Sequence, residues 1–210
     1  MRVLVACEYS GAVRRAFRAR GHEAWSCDLL PAEDDSEFHI QGNVLYSIGS
    51  RYHRRKPWDL MIAHPPCTRL TNSGVRWLSV PPPGRTLESM WAELGEAAAF
   101  YKALREAPIR LKAIENPIMH GHARALLGDI KRHIVQPWWF GDCAFKATGW
   151  ELHGLPPLVP TNKLVPPAKG TQEWKRWSAV HRASPGPDRW KERSRTFPGM
   201  AEAIAAQWSK

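Results

Sequence analysis

Short apolar runs that stop at polar or proline residues recur along this chain, and they alternate with stretches of helical spacing. Residues 2–7 form the first apolar, β-prone run. Gly11 then opens a helix through about Arg20, with Val13, Ala16 and Phe17 spaced as one buried face. Gly21 stops it, and residues 22–27 read as a second strand with Asp28 at its end. Residues 31–41 are acidic and loop-like. Residues 58–63 give a buried strand that ends at Pro65-Pro66, and residues 110–114 another that ends at Glu115-Asn116-Pro117. Between them, residues 87–106 carry Met90, Trp91, Leu94, Ala98, Tyr101 and Leu104 at helical spacing, a stripe expected in the core. A short helix at 120–127, strands at 130–136 and 146–152 and a closing helix at 200–208 complete the reading. Strands alternating with helices predict an α/β fold around a mainly parallel, doubly wound sheet.

In such sheets ligands gather outside the carboxyl ends of the strands. Cys67 stands there, just after Pro65-Pro66. The two prolines fix the backbone, so the thiol is presented in one pose. A thiolate so placed can attack an electrophilic carbon; the plain alternative is a small buried hydrophobe. Glu115 ends its strand at the same edge. The βαβ start brings Tyr9-Ser10-Gly11 to that edge too. A single glycine argues against a tightly held pyrophosphate. Asp28 reads either as the acid that binds ribose hydroxyls or as a turn or cap acid.

The 210 residues suffice for one domain with a real core, and the 43% hydrophobic fraction fits a globular chain. No run of about 18 apolar residues predicts a membrane span. The N-terminus reaches Glu8 too soon for a secretory signal, so a cytoplasmic, reduced protein is expected. Cys7, Cys27, Cys67 and Cys143 include no Cys-x-x-Cys pair, and no metal site is expected. The net charge of +10 points to a polyanionic partner, nucleic acid foremost. Eleven tryptophans can stack on bases or fill a core. The basic cluster at 51–56 reads as a solvated loop or a phosphate contact, and the aromatic loop at 137–141 as core packing or base stacking. Residues 163–195 carry nine Lys/Arg against three Asp/Glu, with Trp174, Trp177 and Trp190 interleaved among prolines. This reads as an irregular segment suited to backbone charge and base stacking, or else as a loop wrapping the core.

Tyr9-Ser10-Gly11, Pro65-Pro66-Cys67 and Glu115-Asn116-Pro117, in that order, resemble the Phe-x-Gly, Pro-Pro-Cys and Glu-Asn-Val signatures of DNA cytosine-5 methyltransferases. The resemblance covers roughly residues 1–160, with an echo in the C-terminal helix. It is closest to compact members of phage and prophage type, without a large target-reading domain. It implies a Rossmann-like S-adenosylmethionine-dependent methyltransferase core (1–160), a basic substrate-contacting segment (161–195) and a C-terminal helix packing back on the core (196–210).

The resemblance also implies residue roles. Cys67 would be the nucleophile at carbon 6 of cytosine, and Glu115 the acid at N3, with its pKa raised by the site. Tyr9, Ser10, Gly11, Asp28, Asn43 and Pro65 would bind the cofactor. Asn43 stands where the family usually has Asp. Pro66, Thr68, Asn72, Asn116, Lys146 and Arg195 would contact the substrate. Thr68 replaces the family's Gln, and Lys146 stands near the place of an arginine. The loop after Cys67 would be mobile and close over the flipped target base. DNA is the expected partner, with the protein a monomer or weak homodimer. Two alternatives stand beside this: a non-enzymatic nucleic-acid binder on a methyltransferase scaffold, and pyrimidine modification of single-stranded DNA or a free nucleotide.

Overall fold

A computed structural model describes residues 1–49, 56–116, 118–182 and 189–209. Residues 51–55 of the basic cluster 51–56 and Pro117 lie outside the described residues, as do residues 183–188 and the side chains of Arg189, Trp190 and Glu192.

The chain opens β1 (Arg2–Ala6), α1 (Ala12–Ala19), β2 (Glu23–Asp28), β3 (His39–Gln41), α2 (Val44–Ile48) and β4 (Leu60–Ala63). Then come α3 (Asn72–Val75), α4 (Leu87–Arg105), β5 (Leu111–Glu115), α5 (Gly121–Leu127), β6 (His133–Val135) and β7 (Thr148–His153). Helices α6 (Gln172–Trp177), α7 (Ala179–Arg182), α8 (Arg189–Ser194) and α9 (Pro198–Trp208) close the chain. Among the described residues the seven strands form one sheet in the order β3-β2-β1-β4-β5-β7-β6. Strands β3, β2, β1, β4 and β5 pair parallel; β7 runs antiparallel to both β5 and β6. The sheet is therefore mixed, with one reversed strand in an otherwise parallel array.

Strands β1 and β4 are buried along their whole length because each face is covered. On one face Leu4, Ala6, Met61, Ala63 and Ile114 join Met90, Leu94 and Tyr101 of α4. On the other, Val3, Val5, Leu60 and Ile62 meet Val13 and Phe17 of α1 and Met200, Ile204 and Trp208 of α9. Thr86 and Ser89 form a capping box that fixes the start of α4. The Asp142 carboxylate accepts from Gly199 N (3.2 Å) and Met200 N (3.1 Å) and so caps α9 from a distant loop. Among the described residues no helix is long and apolar enough to cross a membrane.

Four details differ from the sequence reading. The acidic stretch 31–41 contains β3, too short and polar to show an apolar pattern. Trp91 leaves the buried stripe of α4; it is 44% exposed and meets His122 edge-on. The Pro-rich segment after residue 156 holds three short helices rather than irregular chain. Within it Trp177 is buried against Phe145, and Phe145 N donates to Trp177 O (2.8 Å). Trp177 thus packs instead of offering its ring to a base, and Trp174 is half-buried beside the same phenyl ring.

Candidate active site

Parallel pairing of β1 with β4 and of β4 with β5 brings their carboxyl ends to one edge, with Ala63 level with Ala6 and Ile114. The loops leaving that edge carry Cys7–Gly11, His64–Cys67 and Asn116. Because β7 runs the other way, its start lies at the same edge, where Trp150 pairs with Glu115. Lys146, just before β7, is thereby brought into the site. Gly149 is needed for this approach, since a side-chain carbon there would run into the carbonyl of Asn116.

The turn after β1 is tightly built. Cys7 adopts a left-handed conformation (φ 58°), and the N–H groups of Cys7 and Glu8 both donate to Cys27 O (2.7 and 3.3 Å). The Glu8 side chain is buried and accepts from Val13 N (2.7 Å) and Arg14 N (3.3 Å), capping α1. Gly11 has φ 68°, and a side-chain carbon there would press on the Arg14 guanidinium. Arg14, itself buried, donates to Ser26 Oγ (3.0 Å) and to both oxygens of Asp34 (2.6 and 2.5 Å). Burial alone would raise the Asp34 carboxyl; Arg14 and Arg15 outweigh it and hold it at about 2.

Cys67 is exposed, and Pro65 before it is buried. Its carbonyl accepts from Leu70 N (3.0 Å) and Thr71 N (3.1 Å), so the chain turns at once into α3. The loop is stitched to the segment after β5: His120 N donates to Leu70 O (3.0 Å), the His120 ring meets Arg69 O (2.8 Å), and Thr71 bridges Met119. Crowding by surrounding protein, together with the charge of Glu115, holds the Cys67 thiol above its ordinary value; Lys146 and Arg193 pull it back.

Glu115 departs from the expectation of a raised acid. Burial pushes it up, but the Lys146 charge and the His64 hydrogen bond win and bring it down to about 2. His64 Nδ1 lies 2.7 Å from Glu115 Oε2. In this state Glu115 is a carboxylate and cannot by itself donate a proton.

The other expected residues divide into those the site gathers and those already engaged. Lys146 faces both Glu115 and Cys67 electrostatically, and its Nζ donates to Arg195 O (3.3 Å). Arg195 is exposed and paired with Glu33 (2.5 Å), whose N–H donates to Tyr9 O (3.0 Å) in the turn after β1. Tyr9 is buried, and its hydroxyl donates to Lys191 O (3.2 Å); the Ser10 carbonyl accepts from Arg15 (2.9 Å). Asp28 ends β2, and its Oδ1 accepts from Leu30 N (3.0 Å). The Asn43 side-chain oxygen is engaged as the cap of α2, accepting from Leu45 N (3.0 Å), so an adenine contact would compete with the cap. Pro66, Thr68 and Asn72 are exposed around Cys67. Asn116 is 1% exposed, and among the described residues neither of its amide atoms has a hydrogen-bond partner.

Sequence reasoning missed His64, Glu8 and Arg193. His64 stood in view before Pro65-Pro66, but only the β4–β5 register reveals its partner 51 residues away. Arg193 belongs to a segment whose return to Cys67 no local pattern announces. A comparison with protein-family models finds none that matches, and no curated protein matches the chain.

Proposed function

We propose that this chain transfers a methyl group from S-adenosylmethionine to carbon 5 of cytosine in DNA. The observation that carries the reading is the pairing of an exposed thiol and a carboxylate on adjacent parallel strand ends, Cys67 after β4 and Glu115 at the end of β5. The ordered signatures that resemble DNA cytosine-5 methyltransferases fall on these two positions and on the turn after β1. A sheet wound outward in both directions from β1 suits the Rossmann-like core which that resemblance implies.

The residues present fit the cofactor. Among the described residues Asp28 keeps Oδ2 without a hydrogen bond, and Leu29 next to it is 73% exposed. An open acid next to open apolar surface suits a nucleoside. Asp28 would hold the ribose hydroxyls, and residues 9–11 with Pro65 would border the remainder. When bound, the cofactor supplies an electrophilic methyl group on a sulfonium.

The chain's own residues do the rest. Cys67 Sγ adds to carbon 6 of the pyrimidine, and carbon 5 becomes nucleophilic. Negative charge develops toward N3, where Glu115 stabilises it once protonated. Lys146 and Arg193 favour the thiolate that must form. After transfer, water reaching the exposed Cys67 side takes the carbon 5 proton and the thiolate leaves.

One observation favours a substrate simpler than duplex DNA. The basic segment packs on the core through Trp177 and Phe145 instead of building a separate target-reading module. Single-stranded DNA or a free nucleotide is the second reading. The test is covalent trapping with 5-fluorocytosine in duplex DNA, single-stranded DNA and the free nucleotide, each with S-adenosylmethionine. Fluorine cannot leave as a cation, so the Cys67 adduct persists on a denaturing gel. Duplex trapping, with 5-methylcytosine found by mass spectrometry of unfluorinated DNA, is the expected result. No adduct with any of the three would overturn the reading.

A further inference from the structure

Resting on that reading, we infer that His64 is a positioning residue that both holds Glu115 and serves as its proton source. The pair stands at the junction of three strand ends. The His64 side chain is 8% exposed, and its Nδ1 is 2.7 Å from Glu115 Oε2, in the range of charge-assisted bonds. The ring packs edge-on against Trp150 of β7 (5.5 Å between centroids). Its Nε2 is buried and, among the described residues, has no hydrogen-bond partner. Nδ1 is thus the nitrogen whose proton is engaged with an acceptor.

The charged groups around the ring come from every neighbouring loop. Glu115 ends β5. Burial raises the Glu8 carboxyl in the turn after β1, and the His64 charge and the N–H groups of α1 pull it only part of the way back. Lys146, before β7, acts on Glu115, and Cys67 lies on the ring's own loop. His64 therefore stands near two carboxyl groups, one in the turn read as cofactor-binding and one read as the acid.

The step balances without another reagent. The exposed Cys67 thiol first yields its proton to solvent, and as the thiolate adds to carbon 6 electron density moves to N3. The His64 ring enters the step as imidazolium; its Nδ1 proton passes to Glu115 Oε2, leaving a neutral imidazole and a neutral carboxyl. The carboxyl turns about its Cγ–Cδ bond and gives the proton to N3, returning to the carboxylate. On elimination the proton retraces this path. A carboxylate held at about 2 in the free protein can act as the acid in this way.

The experiment compares His64→Ala and His64→Asn in the full chain, with circular dichroism to establish folding. Asparagine offers an amide N–H near the position of Nδ1 but has no proton to release. Both variants are expected to trap 5-fluorocytosine about a hundredfold more slowly at neutral pH. The deficit should shrink as pH falls, because without the imidazole solvent can protonate Glu115. Full trapping by His64→Asn would reduce His64 to a hydrogen-bond prop and overturn the proposal, as would full trapping by His64→Ala. Should His64→Ala fail to fold, His64→Asn alone decides. If the wild type traps no substrate, the cytosine reading falls. The pairing is then judged by carbon-13 NMR of the Glu115 carboxyl. Its titration should move upward from about 2 in His64→Ala; an unmoved titration rejects the proposal.

Discussion

Glu115 and Glu151 sit on neighbouring strands within one register step of each other, Ile114 facing Glu151 and Glu115 facing Trp150, yet their surroundings are opposite. Glu151 accepts from the Tyr101 hydroxyl (2.8 Å), Arg105 Nε (3.0 Å) and His153 Nε2 (3.1 Å). Burial raises the Tyr101 phenol, and Glu151, as charge and as acceptor, raises it further, so the hydroxyl is a committed donor. Lys112 nearby, largely buried, donates to two carbonyls. Among the described residues Glu115 has one direct donor, His64, and beside it the Asn116 amide is unpartnered. A carboxylate ringed by fixed donors is part of the frame. One with a single titratable partner and orphaned neighbours is prepared to change its protonation and contacts.

The largest effect that can break this contrast is at Cys67. Cys67→Ala should abolish trapping on a denaturing gel, whereas Cys143→Ala should leave it unchanged; trapping by Cys67→Ala would move the chemistry elsewhere. Next comes the pair of acids. Glu115→Gln is expected to slow trapping by about 10²–10⁴-fold, the usual worth of a positioned acid. Glu151→Ala should instead leave trapping by the folded protein intact and cost about 1–3 kcal/mol in urea unfolding, since it takes the acceptor from the Tyr101 hydroxyl and the half-buried Arg105. Equal kinetic effects from the two would erase the distinction.

A pH series sharpens the comparison further. Glu115 is depressed from the ordinary carboxylate range to about 2, so its stabilisation is full above its unfolded value and is lost as pH falls through about 2. Wild type should therefore exceed Glu115→Gln in stability by about 1–3 kcal/mol near pH 6, with the gap closing between pH 4.5 and 2. A gap that ignores pH would mean the pairing is absent in solution. A last effect of similar size is expected at the proposed cofactor site. Asp28→Ala should weaken S-adenosylmethionine binding by ~1.5–3 kcal/mol in calorimetry; unchanged affinity would remove Asp28 from the site.

What the sequence disclosed follows from range. Strands β1, β4 and β5 announce themselves because both faces are buried and the runs end in proline or polar residues, which also places Cys67 and Glu115 at one edge. Strand β3 carries only three residues and little apolar signal. The reversal of β7 cannot be read locally, and with it goes the position of Lys146. Trp177 and Trp174 looked like stacking platforms because charge surrounds them in sequence; in space Trp177 faces Phe145. The depressed Glu115 was out of reach too, because it depends on partners from two other strand ends.

The packing of α1 against α9 bears on how the chain is made. Val13 and Phe17 are completed by Met200, Ile204 and Trp208, nearly the whole chain apart. At the usual pace of synthesis the last helix emerges roughly 10–40 s after the first. Until then the apolar face of α1, and with it one side of β1 and β4, lacks its cover. Any nascent chain that has not yet exposed residue 198 thus leaves that surface open, and its closure awaits the emergence of α9.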